Sequence, residues 1–165
     1  MLPGMVKLER LRADHEGDLL EFERANREYF KRFISDRGDE FFVEYAAWHR
    51  ARLAEQDTGL CHFHVVLDDQ GDLVGRVNLV DVQDAVAELG YRIGERAAGR
   101  GVATAAVEEV CRLAAAAYGL SALTARTTLD NLASRAVLTR TGFTAGGDVS
   151  IVGRPGVRYR RALTS

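Results

Sequence analysis

The 165-residue chain has only two cysteines, Cys61 and Cys111. Both sit in apolar stretches, which fits reduced core residues and gives no basis for a disulfide framework. There is no surplus of either charge: 22 Lys and Arg against 24 Asp and Glu leave a formal net charge of -2, with both signs mixed along the chain. Sequence-independent binding to DNA or RNA relies on an excess of cations, so nucleic acid is not an expected partner. No apolar run approaches the length of a membrane-spanning helix, so no membrane partner is expected either. Met1 to Arg12 lacks the long apolar region of a secretory leader, and the expected location is cytoplasmic. Repeats, long linkers and low-complexity tails are also missing. What remains is an ordinary composition, 47% hydrophobic and 28% charged. It suits one globular domain over residues 1–165 that buries roughly two-thirds of its unfolded surface.

Periodicity orders the elements. Val6 to Arg12 alternates apolar and polar residues, as a half-buried strand does. Asp14 opens a helical stretch whose Leu19, Leu20, Phe22, Ala25 and Tyr29 recur at three- and four-residue spacings. Gly38 and Asp39 break that pattern, and a second helix carries Phe41, Phe42, Tyr45, Trp48 and Leu53. His62 to Leu67 and Leu73 to Val82 form a hairpin around the turn Asp68-Asp69-Gln70-Gly71-Asp72. Val86 to Ile93 is a third consecutive strand. Val102, Ala106, Val107, Val110, Leu113, Ala114 and Ala117 then mark one face of a long helix that stops at Gly119. Leu123 to Thr128 is a strand, Asn131 to Thr141 a short helix, and Phe143 onward two more strands. The order β-α-α-β-β-β-α-β-α-β-β predicts an α/β fold with a mixed, largely antiparallel twisted sheet. A right-handed crossover leads into one parallel strand, and the divergence there favours a ligand.

The chemistry concentrates between Gly90 and Thr104. A strand runs into the glycine-rich turn Ala98-Gly99-Arg100-Gly101 and then into the long helix. Gly99 and Gly101 let a ligand lie against the main chain. The first helical turn presents unpaired N–H groups at the positive end of the helix dipole, a place suited to phosphate or pyrophosphate. Arg100 can add a charge-assisted contact. A phosphate-binding loop needs Gly-Lys-Ser/Thr, which is absent. A dinucleotide fingerprint would begin in an early βαβ unit and end its next strand on an acidic residue. Here a meander comes first and the next strand ends on Thr127-Thr128. Coenzyme A is the third reading, and a tight strand–helix junction with no ligand is the bland one.

The surrounding residues resemble the GNAT acetyltransferases, whose signature is Arg/Gln-x-x-Gly-x-Gly/Ala between a strand and the following helix. Ala98-Gly99-Arg100-Gly101-Val102-Ala103 matches it everywhere except at Ala98. A second frame, Arg96 to Gly101, also matches but shifts the helix start. Ala87-Glu88-Leu89-Gly90-Tyr91-Arg92-Ile93 resembles the family's splayed strand. Asn131-Leu132-Ala133-Ser134-Arg135-Ala136-Val137-Leu138, closing on Thr141-Gly142-Phe143, is similar to the ribosomal-protein alanine and serine acetyltransferases, as is Asn26-Arg27-Glu28-Tyr29-Phe30. The resemblance covers essentially the whole chain.

It implies the GNAT fold, with its parallel pair splayed at the coenzyme site, and an N-acetyltransferase that uses acetyl-CoA as co-substrate and no metal. The acceptor it implies is a primary amine, foremost the α-amino group of a ribosomal or other protein, in a monomer or homodimer. A small amine such as an antibiotic, polyamine or amino acid is the alternative, and a non-catalytic acyl-CoA-binding domain is another. By resemblance, Tyr91, Arg92 and Ile93 hold the pantetheine arm, and the amides of Ala98, Gly99, Arg100, Gly101, Val102 and Ala103 hold the pyrophosphate. Glu88 is the implied base and substrate contact; its plainer reading is a solvated strand residue. Ser134 is the implied proton donor to the leaving thiolate and a coenzyme contact, or else a first-turn helix serine. Asn131 bonds the pantetheine amide, caps a helix, or does both. Arg135 and Arg140 meet distal phosphates or solvent, with Arg140 assigned to solvent. Phe33 and Trp48 are substrate-cleft candidates that also suit a core, as do Phe30, Phe42 and Tyr45. His62 and His64 share a strand face without a further Cys/His set, which argues against zinc.

Overall fold

The computed structural model describes residues 5–164; Met1 to Gly4, which open the stretch read for a leader, and Ser165 lie outside them. Seven strands form one sheet: β1 (Lys7–Arg10), β2 (His62–Leu67), β3 (Leu73–Gln83), β4 (Val86–Ile93), β5 (Ala122–Thr128), β6 (Thr144–Ile151) and β7 (Arg154–Ala162). Their spatial order is β1-β2-β3-β4-β5-β7-β6. Every pairing is antiparallel except β4 with β5. The last strand in sequence therefore sits inside the sheet, between β5 and β6.

The expected strands stand close to their sequence bounds, whereas each of the two early helices divides. Among the described residues the α-helices are α1 (Glu16–Ala25), α2 (Arg27–Phe30), α3 (Asp39–Val43), α4 (Tyr45–Asp57), α5 (Val102–Ala116) and α6 (Leu132–Arg140). The first break falls at Asn26, whose Nδ2 donates to the Phe22 carbonyl at 3.0 Å and whose Oδ1 accepts from the Glu95 N–H at 2.9 Å. A short amide side chain that bonds main chain competes with helix propagation, and here it also ties α1 to the loop after β4. The second break is at Glu44, whose φ of -97° and ψ of 17° leave the helical region.

Two apolar cores flank the sheet. On one face α5 lays Ala106, Val107, Val110 and Ala114 against Val77, Leu79, Leu89 and Leu123. Val107 and Val110 are wholly buried, and each contributes about 1.5–3 kcal/mol of burial. On the other face, Leu19 of α1 and Tyr45 of α4 pack on Phe63 and Val65. Cys61 and Cys111 are both buried and free. His62 and His64 share the α5 face. The His62 ring stacks on Tyr118 at 3.8 Å, while His64 meets the Tyr118 hydroxyl at 2.6 Å and the Val77 carbonyl at 3.1 Å. Among the described residues no group of three or more His, Cys, Asp or Glu is placed to hold a metal ion, and no helix is long and apolar enough to cross a membrane.

A buried carboxylate joins α1 to the sheet. Glu23, with 4% of its side chain exposed, accepts from Arg76 Nε on β3 and from Arg92 Nη1 on β4, both at 3.0 Å. Losing one member of such a set strands the others in a poorly solvated place. Glu23→Ala is expected to cost about 3–5 kcal/mol, read as a lower denaturant midpoint in equilibrium unfolding. A loss below about 1 kcal/mol would show that water already compensates the two guanidinium groups.

Candidate active site

The parallel pairing of β4 with β5 lasts for three residue pairs, Val86 with Ala122, Ala87 with Leu123 and Glu88 with Thr124. Beyond Glu88 the strands diverge, while β4 stays paired with β3 as far as Ile93 opposite Gly75. Gly94 continues this register by donating to the Val74 carbonyl at 2.8 Å. Antiparallel pairs alternate between facing and averted main-chain groups. The amides of Gly90 and Arg92 thus turn toward β3, and those of Leu89, Tyr91 and Ile93 turn into the gap. The side chains divide the other way: Leu89, Tyr91 and Ile93 lie on the α5 face, and Glu88, Gly90 and Arg92 on the face shared with α1.

A cleft of about 690 Å³ opens at this divergence, within the usual range for small-molecule sites. At one end stands the β4–α5 turn. Gly99 and Gly101 have φ of 73° and 77°, left-handed values that favour glycine, and a Cβ at Gly99 would meet nothing within 4 Å. Gly101 caps α5 with no side-chain bond, and the first main-chain bond into the helix is Ala105 N–H to the Gly101 carbonyl at 3.0 Å. Among the described residues, no N–H from Gly99 to Thr104 donates to a backbone acceptor outside the helix ladder, and none has a side-chain acceptor. This row of free donors at a helix start can hold a diphosphate. The bend is open to the cleft rather than sealed by protein, since Gly99, Gly101 and Val102 all line it.

The opposite wall is the start of α6. Asn131 is its cap, its Oδ1 accepting from the Ser134 N–H at 3.1 Å, so the N-cap reading holds while the residue also faces the cleft. The Tyr91 hydroxyl donates to Ser134 Oγ at 3.4 Å across the gap. Burial raises the Tyr91 phenol above its ordinary pKa, which keeps it a neutral donor, although the bond to Ser134 opposes the shift.

Of the cleft candidates singled out from sequence, Phe30, Phe33, Tyr91, Arg92, Ile93, Ala98, Gly99, Gly101, Val102, Ala103, Asn131 and Ser134 line the cleft, whereas Phe42, Tyr45, Trp48, Glu88, Arg100 and Arg135 do not. Trp48 belongs to the second core, with Phe41 at 5.4 Å and Tyr45 at 5.5 Å, and with Arg52 over its indole at 4.9 Å. Arg100 is exposed on the turn. Arg135 points to the far side of α6, where its Nε donates to the Tyr159 hydroxyl and its Nη1 to the Leu129 carbonyl, both at 3.2 Å. Arg140, assigned to solvent, is exposed and also lines the cleft.

Glu88 stands just behind the wall. Its Oε1 accepts from Arg126 Nε at 3.0 Å, and Arg126 itself faces the cleft. Sequence reading missed Arg126; the signal was a lone arginine within the apolar and threonine-rich strand Ala122–Thr128. It also missed Ile34 and Ser35 from the loop after α2, Thr127 and Thr128 at the end of β5, Val152 from the β6–β7 turn and Arg154 at the start of β7. The charged residues of the wall are Arg92, Arg126, Arg140 and Arg154, with no Asp or Glu among the wall residues described. Arg154 is paired with Asp130 outside. Between Glu88 and Arg92, Gly90 is exposed, and a Cβ there would meet nothing within 4 Å.

Comparison with known proteins agrees with this architecture. No curated protein sequence is a match. Among solved structures, the chain superposes on ribosomal-protein-S5-alanine acetyltransferase from Vibrio fischeri with a TM-score of 0.88, at 17% identity over 97% of this chain and 94% of that one. It superposes on Mycobacterium smegmatis RimJ, solved with a CoA-disulfide, with a TM-score of 0.85, at 21% identity over 98% and 90% of the two chains. For spermidine N-acetyltransferase from Vibrio cholerae, solved with CoA and spermine, the TM-score is 0.81, at 17% identity over 96% and 95%. At such identities the likeness establishes the fold. A sequence-family model described as an acetyltransferase (GNAT) domain matches residues 6–144, which include the splayed strand, the amide-rich bend and the start of α6, and the chain therefore belongs to the GNAT acetyltransferase family.

Proposed function

We propose that this acetyltransferase moves the acetyl group of acetyl-CoA directly to the α-amino group of a peptide or protein N-terminus. The observation that carries the reading is the continuity of the bare amide bend at Gly99–Thr104 with the unpaired main-chain edge of Leu89, Tyr91 and Ile93. One end suits a diphosphate, and the other suits an extended amide-bearing arm added as a strand would be. When bound, the coenzyme supplies an activated thioester carbonyl. A β4 N–H directed into the gap is placed to polarise that carbonyl as an oxyanion hole does.

The acceptor approaches from the face of Glu88 and Gly90. It must arrive as a free amine, and an α-amino group ordinarily titrates at about 7.7–8.0, so it needs only modest help at neutral pH. Glu88 takes the proton, directly or through one water, with Arg126 fixing the carboxylate. The new N–C bond forms as the C–S bond breaks, and Ser134 gives its hydroxyl proton to the departing sulfur and regains one from water as the site reopens, with the neutral Tyr91 hydroxyl holding Ser134 Oγ in place. A polypeptide acceptor is supported by the apolar rim: Phe33, Ile34 and Val152 are 37%, 39% and 81% exposed and all line the cleft. The wall's carboxylate-free lining offers a polyamine no direct anionic contact, and its Arg140 adds a positive charge without an ion pair among the described residues.

Acetyl transfer to N-terminal peptides, read by mass change beside spermidine as the competing acceptor, tests the reading; turnover of spermidine alone overturns it. Gly101→Val forces a β-branched residue into a left-handed conformation, at a cost of about 1–2 kcal/mol. It is expected to weaken coenzyme A binding at least about tenfold by calorimetry. Glu88→Gln and Ser134→Ala are each expected to lower kcat by about 10²-fold or more while coenzyme affinity is retained. Unchanged turnover in both variants removes both assignments. Gly90→Val should raise the acceptor KM with coenzyme affinity intact, because its side chain would occupy open space on the acceptor face.

A further inference from the structure

The cluster around Glu23 has more cations than its single carboxylate can balance. Arg76 and Arg92 take its two oxygens. A third guanidinium, that of Arg37, stacks on Phe41 at 4.5 Å and on Trp48 at 5.3 Å. The Arg37 Nε is buried without a hydrogen-bond partner, and Arg37 forms no ion pair among the described residues. Burial, with Arg76 and Arg92 alongside, pulls the guanidinium down to about 9, so it stays charged at neutral pH but poorly compensated. A buried donor and an unbalanced buried charge both gain from an anion. The neighbouring acids are occupied elsewhere: Asp36 and Asp39 both bind Arg27.

The cluster opens toward the acceptor side. A narrow cleft of about 10 Å³, lined by Glu23, Asp36, Arg37 and Arg92 among others, shares Phe30, Ile34, Ser35 and Arg92 with the main one, so Arg37 is reached from the main cleft past Arg92. Along β4, Arg92 is two residues beyond the open floor at Gly90 and on the same face, a separation of about 6.6–6.8 Å. This is the span from the amine of an extended peptide to the side chain of its next residue. The main wall adds further arginines and no competing carboxylate.

We propose that Arg37 and Arg92 form an anion subsite for a carboxylate side chain next to the acceptor's amine, so that the preferred acceptor is a peptide N-terminus with Asp or Glu at its second position. This rests on the N-acetyltransferase reading above. Arg37 is a specificity residue here, and because it holds no carboxylate of the protein, its replacement orphans no acid.

The test compares peptides that differ only in Asp, Asn or Lys at the second position, with free aspartate and glutamate as further acceptors. The wild-type enzyme is expected to favour Asp over Asn by about tenfold or more in kcat/KM, mostly through KM, the scale of one charge-assisted hydrogen bond, with Lys poorest. In Arg37→Met the Asp-to-Asn ratio falls toward one, and Arg37→Lys restores part of it. Coenzyme affinity, measured by calorimetry, reports that both variants are folded. Charge-blind acetylation of all peptides, or a preference that survives in Arg37→Met, overturns the subsite and leaves the peptide reading standing. Turnover of free aspartate or glutamate alone overturns the peptide occupant. Acetylation of none of these acceptors removes the peptide reading and the subsite together.

Discussion

Three residue pairs hold β4 against β5, and beyond Glu88 and Thr124 one edge of β4 runs without a partner strand inside a seven-stranded sheet. Main-chain donors and acceptors left bare in a partly apolar place are costly, and proteins normally cover them. Here they form the floor of an open cleft. A ligand that supplies its own amides completes the sheet and recovers the missing bonds. The amide-rich turn continues the same logic, because its free N–H groups follow directly from the end of that strand. Both ends of the cleft thus offer main-chain groups to a ligand.

The acceptor face is organised by charge rather than by backbone. Glu23 draws Arg76 and Arg92 together and anchors α1 to β3 and β4. One helical turn later, Asn26 fixes the loop that leads into the bend by accepting from the Glu95 N–H. The geometry of the coenzyme end is therefore tied to the packing of α1, and the two halves of the cleft are mechanically linked. The same arrangement fixes Arg92, which bridges the buried cluster and the open wall.

Most of the frame was legible from local pattern. Alternation marked β1, the turn Asp68–Asp72 marked the β2–β3 hairpin, and the three- and four-residue spacing of Val102, Ala106, Val107 and Val110 marked α5. The bend was legible because glycine spacing at a strand–helix junction reports main-chain geometry directly. What escaped were features set by long-range contact. The breaks at Asn26 and Glu44 depend on side-chain competition and tertiary fit, which periodicity does not register. Arg126 and Arg37 looked like solvated cations, because nothing in their neighbours reveals that one would reach Glu88 and the other would be pressed onto Trp48. Trp48 was ambiguous for the complementary reason: a large aromatic on an amphipathic helix suits a core and a cleft equally, and only the packing of α4 on the sheet decides.

The position of β7 has a consequence for how the cleft is completed. Among the described residues, strand β6 has no neighbour except β7, and β7 in turn is the strand that closes the outer side of β5. Without the β6–β7 hairpin, that side of β5 would lack its partner strand. That hairpin carries Ile151, Val152 and Arg154, one lip of the cleft. Completing the cleft and covering β5 therefore depend on the same hairpin, and its loss would expose a bare strand edge as well as remove a wall of the site.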